Sequence, residues 1–337
     1  MIKYVPILKW KPGEKDSIKK LSKEQIEKIF PVIELVDAID ANSLLSQIQE
    51  TGLEHAFIDT SHYEETDINF YKKLTSRNKP LHIIPIFYID DLFNSISSIE
   101  DQFDEICIRL AIPEPLDSLS YTEFFKNIFK KETNLKIDII LDLIFVQDME
   151  SASLKYVALN QVLHQLEQYH DNINKIIISS TSFPQNLSTL EAGEEKSYKR
   201  YEFSIFNKAL NLPEYKNLMD KLIYSDYGVN KFTDTEMDFS KLQYGILPKI
   251  KYTTDNFYYV QKGKKDRIKN TYIVSVFDMC AKIVNSNFFY GKDFSYGDNQ
   301  IYTKSINKKG PGRSRDWVTI STAHHIAVIL KQLSNYI

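Results

Sequence analysis

Charged and hydroxyl residues stand at the ends of short apolar runs throughout the first two thirds of the chain. Lys9, Glu34, Asp59, Arg109, Asp142, the run Ser179–Ser182 and Asp226 all sit in this way, and Ser61, His62, Tyr88 and Tyr227 occupy similar places. Charged groups at strand ends are poorly solvated and must be paired, so the set is either a neutralised ion-pair network or a site. Glu34, Asp59, Asp142 and Asp226 are hard oxygen ligands with no accompanying strand-end histidine triad, a chemistry that suits a divalent cation such as magnesium or manganese better than zinc. Used in pairs, the same carboxylates would act as general acid and base, in glycoside hydrolysis or in phosphodiester cleavage. Among carboxylates, Lys9 is expected to stay protonated as an ion-pair partner, which disfavours a Schiff-base role.

Two further groups suggest anion recognition. Hydroxyls in the run that holds Ser180 and Ser182, together with backbone N–H groups near Asp226-Tyr227-Gly228, would hold a phosphate where barrels commonly hold one. An ordinary hydroxyl-rich turn has the same composition. Near the C-terminus, Arg313, Arg315 and Trp317 precede His324 and His325. Neighbouring helical residues diverge by about 100°, so one of the two histidines at most joins the arginines as an anion clamp.

The elements that must position these residues follow from hydrophobic periodicity. Apolar runs cover Tyr4–Trp10, Ile29–Val36, His55–Thr60, Leu81–Tyr88, Glu105–Ala111, Lys136–Asp142, Lys175–Thr181 and Leu222–Asp226. Between them lie stretches of helical period: Ser17–Lys28, Asn42–Glu50, Leu92–Phe103, Tyr121–Lys131 and Ser153–Tyr169, the last placing Leu154, Val157, Val162 and Leu166 on or near one face. Strand and helix alternate, and runs such as Ile176–Ile178 are typical of a parallel sheet buried on both faces. An open dinucleotide-binding sheet would carry a Gly-rich turn after its first strand, whereas Lys11-Pro12-Gly13-Glu14 stands there. Eight units suit closure into a (β/α)8 TIM-like barrel, whose ligand site lies at the C-terminal ends of the strands.

After residue 230 the rhythm changes. Lys249–Val260 alternates weakly and runs into the basic turn 261–265, Thr271–Val284 and Asp316–Leu333 read as helices, and Lys309–Gly312 is a loop. The expected division is a barrel over 1–230 and a basic, aromatic-rich α+β extension over 231–337 that caps the barrel mouth. Residues 1–230 hold 25 Lys and Arg against 36 Asp and Glu, while 231–337 hold 17 against 9, net +8. Such asymmetry either docks the two parts or offers a positive surface to a nucleotide or nucleic acid. Tyr252, Phe257, Tyr258 and Tyr259 would add base stacking to the phosphate contacts of the basic turn.

With 337 residues and 43% hydrophobic content the chain can bury a full core. No apolar stretch is long enough for a membrane span and no leader-like start precedes Tyr4, so a cytoplasmic protein with no membrane association is expected. Cys107 and Cys280 lie in apolar patterns and read as core fillers.

The segments Tyr4-Val5-Pro6-Ile7-Leu8-Lys9-Trp10-Lys11-Pro12-Gly13-Glu14 and Pro31-Val32-Ile33-Glu34, with the closing Trp317 and His324-His325-Ile326, resemble the beta protein family of phages and mobile elements. The resemblance spans the chain; its specific parts are the Lys-Trp-x-x-Gly-Glu entry and the Trp to His-His exit, and Val318–Ser321 matches the pattern imperfectly. It implies a part in phage exclusion or anti-phage defence, and it singles out Lys9, Trp10, Glu14, Glu34, Trp317, His324 and His325. Two readings follow. In one, a phosphate-bearing ligand is bound and hydrolysed at the barrel rim, as by a metal-assisted phosphodiesterase or nuclease. In the other, a non-enzymatic sensor or adaptor recognises a phage or partner protein. The carboxylates also permit a carbohydrate-active enzyme, although the rim lacks the aromatic platforms expected of one.

Overall fold

A computed structural model describes residues 3–63, 68–75, 81–93, 99, 101–112, 121–129, 135–230, 247–266 and 268–335. Contacts divide the chain into two compact units that do not follow a single cut in sequence. One comprises Met1–Trp10, Ile26–Ser182 and Tyr201–Tyr227; the other comprises Lys11–Gln25, Phe183–Arg200 and Gly228–Ile337.

The first unit is a closed barrel of eight parallel strands, as the spacing of the apolar runs predicts. They are β1 (Tyr4–Lys9), β2 (Val32–Glu34), β3 (His55–Asp59), β4 (His82–Phe87), β5 (Glu105–Ala111), β6 (Lys136–Phe145), β7 (Ile173–Thr181) and β9 (Leu222–Asp226), with β9 pairing back to β1. The barrel is a (β/α)8 fold, and its strands are almost wholly buried because side chains fill one face and helices cover the other. Asp40 caps the helix Ala41–Glu50 by accepting from the N–H groups of Asn42 and Ser43 at 3.1 and 3.0 Å, and Ala41, Leu44, Leu45 and Ile48 form its buried stripe. The helix Met149–Glu167, capped by Asp148, begins four residues before its expected start. Its buried stripe is Ala158, Leu159, Val162, Leu163 and Leu166, whereas Leu154 and Val157 are exposed. The expected face is therefore corrected: Val162 and Leu166 belong to the buried stripe, and Ala158, Leu159 and Leu163 take the place of Leu154 and Val157 in it. Of the helix expected over Leu92–Phe103, residues 94–98 and 100 lie outside the described residues; the helix Ile89–Phe93 precedes them. Residues 130–131 of the expected Tyr121–Lys131 helix also lie outside them, and the helix Tyr121–Ile128 occupies the rest.

The second unit contains a three-stranded antiparallel sheet in the order β10 (Lys249–Thr253), β11 (Phe257–Lys262), β8 (Glu195–Lys199), and a hairpin of β12 (Lys264–Asp266) and β13 (Thr271–Val274). The helix expected over Thr271–Val284 is thus split: Thr271–Val274 pairs as a strand, and Ser275 caps a helix over Val276–Val284 by accepting from the Asp278 N–H. The helix expected over Ser17–Lys28 is broken: a helix over Pro12–Ile18, which takes a proline in its first turn where the missing N–H costs nothing, ends just inside that span, and Lys23–Ile26 forms a separate short helix. Helices Tyr296–Asn307 and Ser314–Leu333 complete the unit. Val318–Ser321, which matches the family pattern imperfectly, lies within this last helix.

The core of the second unit joins Ile250, Tyr252 and Tyr259 of the sheet to Met279, Cys280, Ile283, Ile301, Trp317 and Ile320 of the helices. Gly297 is required where two helices touch: a Cβ there would lie 2.4 Å from the carbonyl oxygen of Ile320. Entry and exit segments also meet in this unit. Thr319 Oγ1 donates to the Gly13 carbonyl at 3.0 Å, and Arg315 Nε donates to Asp16 Oδ2 at 2.5 Å. Both cysteines are buried and unbridged.

Candidate site at the C-terminal end of the barrel

Side-chain alternation along the strands decides which strand-end groups share the barrel interior. Arg109 of β5 gathers three carboxylates from three other strands. Its Nη1 donates to Glu34 Oε1 at 3.0 Å and to Asp59 Oδ2 at 2.6 Å, while Nε and Nη2 donate to Asp142 Oδ2 at 3.0 and 2.8 Å. Nη2 also donates to the hydroxyl of Tyr227 at 2.6 Å, and that hydroxyl donates in turn to Asp142. Every one of the five guanidinium N–H groups thus has an acceptor. Tyr88 donates to Asp59 Oδ2 at 2.7 Å, and the outer oxygens of Asp59 and Asp142 accept from the N–H groups of Ser61 and Ile144 at 2.8 and 2.9 Å. Ile144 takes a left-handed backbone conformation, φ 59°, unusual for a β-branched residue, directly beside this contact.

Burial and pairing compete in this network. Burial alone would push the Asp59 carboxyl up, but the charge of Arg109 and the hydrogen bonds from Ser61 and Tyr88 hold it below the usual carboxylate range. Burial works against the charge of Arg109 as well, and Tyr227, Asp142 and Asp59 more than offset it, so the guanidinium is held ionised. Burial first, and then the neighbouring Asp142 and Glu34 charges, raise the phenol of Tyr227 and keep it a donor.

Glu34 is different from the other two acids. Its Oε1 is fixed by Arg109, while among the described residues its Oε2 faces His62 Nε2, at 3.9 Å, and the His62 side chain is 21% exposed. Lys9 lies next to it in register on β1 and is half-buried. Two hydroxyls lie in register with Asp142. Ser179 and Ser225 are paired residues of β7 and β9, both are fully buried, and neither Oγ has a hydrogen-bond partner among the described residues. Ser225 alternates with Tyr224, whose ring packs on Phe203 and Phe206 of the helix Tyr201–Ala209, so the serine faces the barrel interior.

Other residues singled out by the sequence are placed elsewhere. Asp226 faces the helix layer, where its two oxygens accept from Tyr4 and Tyr224 at 2.6 and 2.8 Å. Ser180 is buried and alternates with the interior-facing Ser179; Ser182 Oγ accepts from the N–H groups of Tyr201 and Glu202 at 3.1 and 3.2 Å. The helix start that would have cradled a phosphate there is therefore capped by the protein itself. Trp10 is buried and donates to Gln47 Oε1 at 2.9 Å. The magnesium or manganese arrangement anticipated for the carboxylates does not fit: Arg109 occupies the position between them, and among the described residues no three acidic, histidine or cysteine side chains are grouped to hold a metal ion.

In the second unit His324 and His325 are fully buried and diverge. His324 Nδ1 meets Asp298 Oδ2 at 2.8 Å and Nε2 meets the Thr253 carbonyl at 2.8 Å, with the ring stacked on Tyr252. Both nitrogens face acceptors, a geometry that a doubly protonated ring satisfies. His325 Nδ1 pairs with Thr253 Oγ1 at 2.9 Å. Glu14 accepts from Asn230 at 3.0 Å, Arg315 is committed to Asp16, Trp317 donates to the Pro311 carbonyl at 2.9 Å, and the Arg313 backbone N–H is bonded by Asp316 at 2.7 Å. Sequence reasoning did not single out Asp298, or a second buried group in the barrel. There Asp138 accepts from Lys175 Nζ at 2.9 Å and from Asn174 Nδ2 at 2.8 Å, and Lys175 also reaches Glu105 at 3.4 Å. Asp138 precedes Asp142 by four residues on β6 and so shares its face, which was the available signal.

A closed (β/α)8 barrel with an arginine-centred carboxylate cluster at the C-terminal strand ends is the class that this geometry defines. Within it, the chain matches the Beta protein family over residues 4–331 and belongs to that family. No curated protein matches it. Among solved structures it is similar to the spore cortex-lytic enzyme SleL of Bacillus megaterium QM B1551, at 11% identity and TM-score 0.32 over 84% of this chain and 67% of that one. SleL of Bacillus cereus gives 8% identity and TM-score 0.34 over 95% and 74%. The biosynthetic arginine decarboxylase SpeA of Campylobacter jejuni gives 11% identity and TM-score 0.40 over 98% and 55%. Likenesses this distant carry no functional argument. No helix among the described residues is long and apolar enough to cross a membrane.

Proposed function

We propose that this protein acts in phage exclusion or anti-phage defence in the cytoplasm, binding a phosphate-bearing ligand and hydrolysing it by acid–base chemistry at the C-terminal end of the barrel. The observation that carries the chemistry is the Glu34 carboxylate, pinned at one oxygen by Arg109 and open at the other toward His62. In this reading Glu34 takes the proton of an attacking water as the new oxygen–phosphorus bond forms. His62 delivers a proton to the leaving oxygen as the old bond breaks. Arg109, Asp59 and Asp142 position Glu34, and Lys9, adjacent in register, supplies positive charge for the phosphate. The resemblance of the entry and exit motifs to phage beta proteins supports the setting.

The test is turnover of a panel of nucleotides and phosphodiesters. Glu34→Gln keeps the acceptor for Arg109 and removes the base, so turnover should fall by about 10²-fold or more while the melting profile stays that of the parent. Undiminished turnover in that variant would sink the reading. A second reading, a non-enzymatic sensor or adaptor for a phage or partner protein, draws support from the saturation of all the Arg109 donors. It predicts no turnover by the parent protein and capture of a defined partner from infected cells.

A further inference from the structure

The second unit holds a cavity of its own, about 710 Å3, within the size range that accommodates a small organic ligand. Its wall is drawn from 247–251, 272–277 and 311–321, all in that unit. Tyr272, Phe277 and Trp317 provide aromatic surface, while Lys249, Lys251 and Arg313 provide positive charge. No carboxylate is among its described lining residues.

The groups in this wall are held in place. The Trp317 indole is oriented by its bond to the Pro311 carbonyl, with Lys304 over the ring at 5.9 Å. Lys251 Nζ donates to the Val229 carbonyl at 2.6 Å and to Asn230 Oδ1 at 3.2 Å. Gly312, at φ +83°, lets the loop backbone run close to the indole, since a Cβ would come within 3.1 Å of its nitrogen. Ser275 and Ser314 bring the starts of the helices Val276–Val284 and Ser314–Leu333 to the same wall, adding partial positive charge. Asp278 and Asp316 bond back to Ser275 and to the Arg313 N–H and lie outside the lining.

A pocket whose described lining has aromatic walls, three cationic side chains and no acid suits a flat apolar body that carries negative charge. We infer that the cavity binds a mononucleotide, its base packed against the Trp317 and Phe277 rings and its phosphate held by Lys249 and Arg313. This site uses none of the barrel residues and does not rest on the hydrolytic reading.

Calorimetric titration of the full chain with ATP tests the inference, with inorganic phosphate and a single-stranded oligonucleotide as parallel probes. Saturable ATP binding is expected, with Lys249→Ala and Arg313→Ala each weakening it roughly tenfold, and Trp317→Leu weakening it while inorganic phosphate binding is unaffected. The inference is overturned by absence of saturable binding at low millimolar ATP, or by equal affinity in the parent and both charge variants. It is likewise overturned if phosphate alone binds as tightly as ATP, or if the oligonucleotide alone binds. Because binding is read without turnover, failure here leaves the Glu34 test intact.

Discussion

Arg109 commits both Nε and Nη2 to one carboxylate oxygen of Asp142, at 3.0 and 2.8 Å, and so spends two of its five donors on a single atom. The remaining donors tie Glu34, Asp59 and Tyr227 to the same centre. Replacing Arg109 by Met leaves three buried acids facing one another. Denaturant unfolding should show a loss of about 3–5 kcal/mol. Arg109→Lys should also destabilise, since an ammonium cannot reproduce the planar fork. Parental stability in both variants would mean that the cluster contributes little to the fold.

Asp138 gives a dependence on pH of opposite sign to that of a normal acid. Burial outweighs Lys175 and Asn174 and pushes its carboxyl up to about 6 from 3.8. The folded protein therefore binds this proton more tightly than the unfolded chain does. Its contribution is present in full below the unfolded value near 3.8 and is lost as pH rises through about 6. The loss is on the order of 2–3 kcal/mol. Urea unfolding across this window should show a smaller decline in Asp138→Asn than in the parent, and parallel pH profiles would refute the assignment.

Asp298 should behave in the reverse sense. Burial raises its carboxyl, but the His324 charge and the hydrogen bonds from His324, Ser295 and Tyr252 pull it below its ordinary value. Its stabilising contribution is present above the unfolded value of 3.8 and is lost as pH falls through the lower, folded one. Asp298→Asn removes the countercharge of a buried ring and should cost about 3–5 kcal/mol near neutrality. A cost below about 1 kcal/mol, which is the worth of an ordinary hydrogen bond, would argue against an ion pair.

Gly297→Ala tests the helix contact in the second unit. The new methyl would meet the Ile320 carbonyl oxygen at 2.4 Å, and backbone cannot yield as a flexible side chain does. Overpacking of this kind costs about 1–3 kcal/mol. A thermal midpoint equal to that of the parent would show that the two helices are less closely apposed.

Ser179→Ala and Ser225→Ala should be neutral or stabilising in the ligand-free protein, because each removes a buried hydroxyl that has no partner among the described residues. Destabilisation beyond about 1 kcal/mol in either variant would reveal a hydrogen bond made by that hydroxyl.

The barrel is legible in the sequence because its strands are buried on both faces, which writes them as β-branched runs of regular recurrence. That same uniformity hides the phase of each strand. Asp142 and Asp226 look alike as acids closing an apolar run, yet one turns inward to Arg109 and the other turns outward to Tyr4 and Tyr224. Only partners brought by the fold separate them. Glu195–Lys199 gives no apolar signal, since most of the strand is exposed. Thr271–Val284 contains a strand and a helix of similar composition, whose boundary is set by the cap at Ser275. The surroundings of His324 were unreadable for a different reason: Asp298, its partner, lies on a helix with few apolar residues to announce it.

The bond from Arg315 to Asp16 spans 299 residues of chain, and both residues belong to the second unit. A ribosome therefore releases the Pro12–Ile18 helix long before the helix that completes its surroundings has been translated. Throughout elongation this early segment waits with its eventual neighbours unmade, and the second unit cannot close before the Ser314–Leu333 helix has been made. Nascent chains halted before Ser314 would display that segment to chaperones and proteases.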